Sequence, residues 1–134
     1  MEDIFVGRIM STDVETVTPE TTVREAAQLL LEKNIGSLVV TDEDNKLEGI
    51  LTSTDFVRVV AHGDSNDRTT VGDHMSEEVV TLSAQDSIRD AADRIITYEV
   101  HHMPVVDDDA GVVGMLSTTD LTAYVSDVRK PTPW

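Results

Sequence analysis

One short phrase occurs twice in this chain, and it constrains the fold more than anything else in the sequence. The first copy is Gly49-Ile50-Leu51-Thr52-Ser53-Thr54-Asp55-Phe56, and the second, 65 positions later, is Gly114-Met115-Leu116-Ser117-Thr118-Thr119-Asp120-Leu121. Each runs glycine, two apolar residues, a hydroxyl, two small polar residues, an aspartate and a large apolar residue. The segments upstream repeat at the same spacing without a gap, so the chain reads as two copies of one supersecondary unit.

Val6-Gly7-Arg8-Ile9-Met10-Ser11 is echoed by Val71-Gly72-Asp73-His74-Met75-Ser76. Val14 to Val17 alternates and stops at Pro19, as a short strand does; Thr81-Leu82 repeats it. Thr22-Val23-Arg24-Glu25 is a capping box opening a helix, with Val23, Ala26, Ala27 and Leu30 on one face and Asn34 and Gly36 ending it. Ser87-Ile88-Arg89-Asp90 opens the equivalent helix. Ser37 to Thr41 and Leu47 to Thr52 are strands joined by the turn formers Asp42 to Lys46. Met103-Pro104-Val105-Val106-Asp107 repeats the first of these strands. A last helix follows each phrase, with Phe56, Val59 and Val60 expected inward in the first copy and Leu121, Tyr124 and Val125 in the second.

Each half is therefore expected to run strand–helix–strand–strand–helix, an α+β fold. The division is residues 1–63, a polar linker at 64–70, residues 71–130, and a tail at 131–134 whose two prolines stop any helix. A unit this small buries only a thin core alone, so the two repeats are expected to pack sheet to sheet about a pseudo-two-fold axis.

Composition narrows the function. Twenty-six acidic residues face ten basic ones, a net charge of −16 spread along the whole chain. No basic face is available for nucleic acid or an anionic membrane. Lysine occurs three times, at Lys33, Lys46 and Lys130. So acidic a chain is expected to come from a halophilic, haloarchaeal source, where salt screens the self-repulsion. There is no cysteine, no long apolar run and no signal-peptide pattern, so a cytoplasmic protein is expected. No nucleophile–base pair, metal cluster or glycine-rich phosphate loop is evident, so catalysis is not expected.

Thr52 with Asp55 and Ser117 with Asp120 admit two readings. A hydroxyl three residues before a carboxylate at a helix start is a capping box. The same geometry offers a ligand free N–H groups at the helix start and a carboxylate able to accept both hydrogens of a vicinal diol.

Taken together, the openings Val-Gly-x-x-Met-Ser, Thr16-Val17-Thr18-Pro19, the Ala-Ala helix, His102-Met103-Pro104-Val105-Val106-Asp107 and the twin phrases resemble a tandem pair of cystathionine-β-synthase (CBS) domains, the Bateman module. The resemblance runs from Val6 to about Val125. It implies a regulatory, non-catalytic module that senses an adenosine-containing ligand (AMP, ADP, ATP or S-adenosylmethionine) in clefts between the repeats. Two crossed pockets follow from it. Asp120, Ser117 and Thr119 would share one with Val14, Thr16, Ile35, Gly36 and Ser37. Asp55, Thr52 and Thr54 would share the other with Val79, Thr81, Val100, His101 and His102. Several relatives carry an arginine beside the histidine there; this chain does not, which argues against a triphosphate. Arg58, one turn beyond Asp55, is the nearest basic candidate for a phosphate. Adjacent histidines on a strand point to opposite faces, so no metal site is expected.

The resemblance also implies a homodimer formed through helices and an output through a separate, regulated protein or a change of oligomer. A ligand-independent dimeric scaffold with degenerate pockets is the alternative.

Overall fold

The computed structural model describes residues 4–63 and 68–126. Most of the linker expected at 64–70 and the whole tail at 131–134 lie outside them. The elements are α1 (Val6–Ile9), β1 (Thr16–Val17), α2 (Val23–Lys33), β2 (Ser37–Thr41), β3 (Leu47–Thr52), α3 (Ser53–His62), α4 (Val71–His74), α5 (Ile88–Tyr98), β4 (His102–Asp107), β5 (Gly111–Ser117) and α6 (Thr118–Ser126).

The chain forms two compact units that do not follow the linear division of the sequence. Of the described residues, one unit takes in those from 15 to 78; the other joins residues 4–14 to residues 79–126. Each repeat's opening segment thus belongs with the other repeat's sheet.

In the unit of residues 15–78, β1 runs parallel to β2 and β2 antiparallel to β3, with Ser37 opposite Thr52 and Val39 opposite Ile50. All five residues of β2 are buried, so the sheet is covered on both faces. Local chemistry sets the ends of α2. The Thr22 hydroxyl accepts from the Glu25 N–H at 3.1 Å and donates to the Glu25 carboxylate at 2.9 Å, and Asn34 closes the helix at φ 54°. In the hairpin, one Asp42 carboxylate oxygen accepts from the N–H groups of Asp44 (2.8 Å) and Lys46 (2.9 Å), while Asn45 adopts φ 63°. Here α4 docks as an added element. Its Val71 N–H donates to Thr21 O at 2.8 Å and its Gly72 N–H to Pro19 O at 2.9 Å; Ile50 and Ser76 exchange backbone bonds of 3.0 and 2.9 Å. Val71 is fully buried.

The other unit repeats this arrangement with α1. Val6 N–H donates to Asp86 O at 2.8 Å, Gly7 N–H to Ala84 O at 2.9 Å, and Ser11 and Met115 exchange two 2.8 Å bonds. Val6 joins Leu82, Ala91, Met103, Val105 and Leu116 in one core cluster. The glycines that open the twin phrases are explained by this docking. A Cβ on Gly114 would stand 2.5 Å from Met10 Sδ and 3.0 Å from Ser11 O; one on Gly49 would stand 2.8 Å from both Met75 Sδ and Ser76 O. The Met-Ser of each opening and the glycine of the phrase it meets are one packing feature.

Three expectations are corrected. The second repeat's opening strand is reduced to a single bridge, Leu82 to Val105, beside the antiparallel pair β4–β5. In the first repeat the Val39 N–H donates to Glu15 O at 3.3 Å; the matching position is Pro104, which has no N–H to give. Second, Val60 and Val125 do not point inward: they are 76% and 83% exposed. Third, Tyr124 is 40% exposed, and only Leu121 of the last helix packs, in part, on the core cluster. The inward stripe on α3 is narrower than the apolar sequence, carried by Val59 with Phe56 half-buried. Among the described residues no helix is long and apolar enough to cross a membrane.

Candidate functional site

The strands β3 and β5 deliver the two phrases directly into α3 and α6, so each hydroxyl ends a strand and each aspartate lies in the first helical turn. Both helix starts are capping boxes. At α3 the Thr52 N–H donates to Asp55 Oδ2 at 2.8 Å and the Thr52 hydroxyl to the same oxygen at 3.2 Å. At α6 the Ser117 N–H donates to Asp120 Oδ2 at 2.9 Å, and the Asp120 N–H donates to Ser117 Oγ at 3.1 Å. These bonds satisfy amides that a helix start leaves unpaired.

The two carboxylates differ in what else meets them. Asp55 is buried, and its Oδ1 accepts from Arg58 Nη1 at 3.0 Å. Arg58 is therefore partnered with Asp55, although its side chain is 65% exposed. Asp120 is half-buried. Desolvation pushes its carboxyl above the ordinary value of 3.8, against hydrogen bonds from Ser117 and from the Ser11 side chain. Position 123, which corresponds to Arg58, is Ala123.

Each phrase is joined to the helix-to-strand turn of its own repeat. Ser37 faces Thr52 across the β2–β3 ladder; the Ser53 N–H and hydroxyl both donate to Gly36 O, at 3.1 and 3.3 Å. Ile35 is buried beside them. In the other unit, His102 faces Ser117 across β4–β5, and the Thr118 N–H donates to His101 O at 3.0 Å. Val100 packs, partly buried, on the core cluster. Thr54 and Thr16 are exposed, while Val14, Val79, Thr81 and Thr119 are half-buried.

Ser37 is fully buried, and its Oγ has no hydrogen-bond partner among the described residues. Its counterpart is His102, whose pKa is lowered by burial and, secondarily, by His101, so its ring is held neutral at pH 7. Three participants were not singled out from the sequence. Ser11 bonds to Asp120. Ser53 ties α3 to Gly36. Arg94 donates to Thr81 O at 2.8 Å and to Asp86 Oδ2 at 3.1 Å, fixing the segment that carries Thr81. The repeated Met-Ser opening was the available signal for Ser11; Arg94 has none, because its counterpart is Leu29.

A groove of about 400 Å³ lies between α2 and α3, lined by Val23, Leu30, Leu31, Phe56, Val59 and Val60. Its lining is mostly apolar, with Asn34 and Ser53 as its polar members, and neither aspartate lines it.

The CBS domain family model matches residues 6–62 and again 71–127. An uncharacterized 17.7 kDa protein from the bps2 3′ region of Acidianus ambivalens is 32% identical over 92% of this chain and 74% of its own length. A homoserine O-acetyltransferase of Methanococcus vannielii is 30% identical over 94% of this chain, which spans 26% of that enzyme. Among solved structures, the CBS domain pair of protein MJ0100, in complex with 5′-methylthioadenosine and S-adenosyl-L-methionine, superposes with a TM-score of 0.84 at 28% identity, covering 94% of this chain and 98% of that one.

Proposed function

This chain belongs to the CBS-domain family, as a tandem pair of CBS domains, and from that premise we propose that it is a regulatory module, cytoplasmic and non-catalytic, that holds an adenosine-containing ligand. One observation carries the reading. Two capping-box carboxylates stand at the starts of α3 and α6, in a chain that superposes on a CBS pair containing methylthioadenosine and S-adenosylmethionine. In this reading a carboxylate accepts from the ribose hydroxyls, and the hydroxyl residue and the helix N–H groups hold the rest of the sugar or a phosphate. The further residues proposed for ligand contact, divided between the two aspartates as the resemblance implies, are Thr119, Val14, Thr16 and Ile35–Ser37 for Asp120, and Thr54, Val79, Thr81 and Val100–His102 for Asp55. Occupancy shifts a two-state geometry or the oligomer, and a separate protein reads the shift.

A second copy of the chain is the proposed oligomeric partner. Leu31 and Ile96, 83% and 78% exposed, occupy matching positions in the two repeats, as do the exposed Val60 and Val125. Matched apolar pairs suit an isologous two-fold contact. The acid excess supports a high-salt cytosol.

A scaffold that binds no ligand is favoured by a different observation: both capping boxes are already satisfied within the chain. A thermal-shift panel in about 2 M KCl separates the two readings, a salt chosen to screen the acid charge. AMP, ADP, ATP, S-adenosylmethionine, methylthioadenosine, NAD and GTP are tested on wild type, Asp55→Asn and Asp120→Asn. A ligand at about 100 times its Kd raises stability by roughly 2.7 kcal/mol, and an aspartate variant that loses this shift supports the sensor. A silent panel, with both variants melting lower, supports the scaffold and removes the sensor.

A further inference from the structure

The two phrases are not chemically equivalent, and the difference lies outside the repeated motif. Asp55 has both carboxylate oxygens engaged within the chain, Oδ2 by Thr52 and Oδ1 by the guanidinium of Arg58 at 3.0 Å. Its side chain is 8% exposed, so little solvent competes for those contacts. Among the described residues, the donors that meet Asp120 are neutral: the Ser117 backbone and the hydroxyls of Ser117 and Ser11. The residue one turn further on is Ala123, so no guanidinium arises from α6.

A ribose diol is itself a pair of neutral hydroxyl donors. At Asp120 it can take the place of a serine hydroxyl, an exchange of like for like with little net cost. At Asp55 it must displace an ion-paired bond from a cation, which is stronger than the bond from a neutral hydroxyl that replaces it. Resting on the adenosyl-ligand reading above, we propose that Arg58 is a specificity-determining residue that keeps Asp55 paired within the chain and so selects Asp120 as the carboxylate that takes the ribose diol. The pair of CBS domains then binds with unequal affinity at its two aspartates.

The test uses 5′-methylthioadenosine, which has the ribose diol but no phosphate, followed by calorimetric titration of the full chain. Asp120→Asn removes the tighter event and leaves a weaker one. Adding Arg58→Gln to Asp120→Asn strengthens that weaker event by about fivefold, the factor matching a partly exposed ion pair near 1 kcal/mol. The gain shrinks as KCl rises, because the pairing is screened. AMP supplies the contrary outcome: if Arg58→Gln weakens AMP and leaves methylthioadenosine unchanged, Arg58 is a phosphate ligand and the selection is overturned. Wild-type affinity retained in Asp120→Asn overturns it as well. Silence of methylthioadenosine, AMP and S-adenosylmethionine on every variant sinks the adenosyl reading itself, and the selection with it. A readout free of ligand is the Arg58 guanidinium ¹⁵Nη spectrum. Restrained, resolved signals that collapse in Asp55→Asn support the pairing; averaged signals in wild type overturn it.

Discussion

Replacing Gly49 and Gly114 by alanine, one at a time, tests how the exchanged openings position the site. A Cβ at Gly49 would lie 2.8 Å from Ser76 O and 2.8 Å from Met75 Sδ. Ser76 O is fixed, because it accepts from the Ile50 N–H while the Ser76 N–H donates to Ile50 O. At Gly114 the nearest atom, at 2.5 Å, is the Sδ of Met10, the far end of a flexible side chain; the backbone oxygen of Ser11 stands off at 3.0 Å. Methionine can rotate away, whereas a doubly bonded backbone segment must move as a whole. Overpacking of this kind costs about 1–3 kcal/mol, with Gly49→Ala expected at the upper end and Gly114→Ala at the lower. Urea melts at fixed KCl read the costs: with m near 2 kcal/mol/M, a cost of about 3 kcal/mol for Gly49→Ala moves the midpoint down by about 1.5 M. Gly114→Ala also shifts Ser11, and hence its bond to Asp120. Both variants melting within about 0.5 kcal/mol of wild type, or the order reversed, would refute the docking of the openings on the phrase glycines.

Further outcomes are expected elsewhere in the chain. Ser37→Ala removes a buried hydroxyl without a partner among the described residues, so the ligand-free fold should gain about 1 kcal/mol; a loss of that size in the same melts would mean the hydroxyl is bonded. His102 has its folded pKa depressed below 6.5, so the unfolded chain takes up the proton first and stability is lost as pH falls below 6.5. His102→Gln should flatten that slope, and an unchanged slope in pH-dependent melts would remove His102 as its source. Asp120 has its pKa raised, so its charge opposes folding as pH rises above 3.8; relative to wild type, Asp120→Asn should be more favourable at pH 7 than at pH 4, and a relative stability that is the same at both pH values would remove Asp120 as a contributor. With a net charge of −16, the chain should melt higher as KCl rises from 0.1 to about 2 M. A flat dependence would remove the high-salt reading.

Repetition made much of this fold legible. Thr22, Asn34, Asn45 and Gly63 are residue types suited to caps and turns, the first three through their polar side chains and Gly63 through its lack of a Cβ, and each sits at the cap or turn its chemistry favours. Glu99 adopts the same left-handed geometry, φ 54°, at the end of α5, yet nothing in a glutamate announces it. The exchange of openings was hidden because a linear repeat does not say which copy a segment packs on. The paired signals were present, in the two Met-Ser openings and the two phrase glycines, but only their contact joins them. Val60 and Val125 were misplaced because an apolar residue beside an inward stripe looks like part of it. At the site, the aspartates and their hydroxyl partners were readable from spacing; Arg58 was read there as a phosphate candidate, although its i,i+3 interval from Asp55 also permits the ion pair the structure shows. Burial of Ser37 and neutrality of His102 were not, since both depend on what the ladder places around them.

The most direct test of the central claim is a ¹H–¹⁵N NMR titration of the labelled chain with S-adenosylmethionine in high KCl. Saturable shifts of the amides of Ser117 to Asp120, lost in Asp120→Asn, are the expected result. Shifts confined to residues away from both phrases, or none for any adenosyl compound, would contradict the account and leave the twin phrases as helix caps.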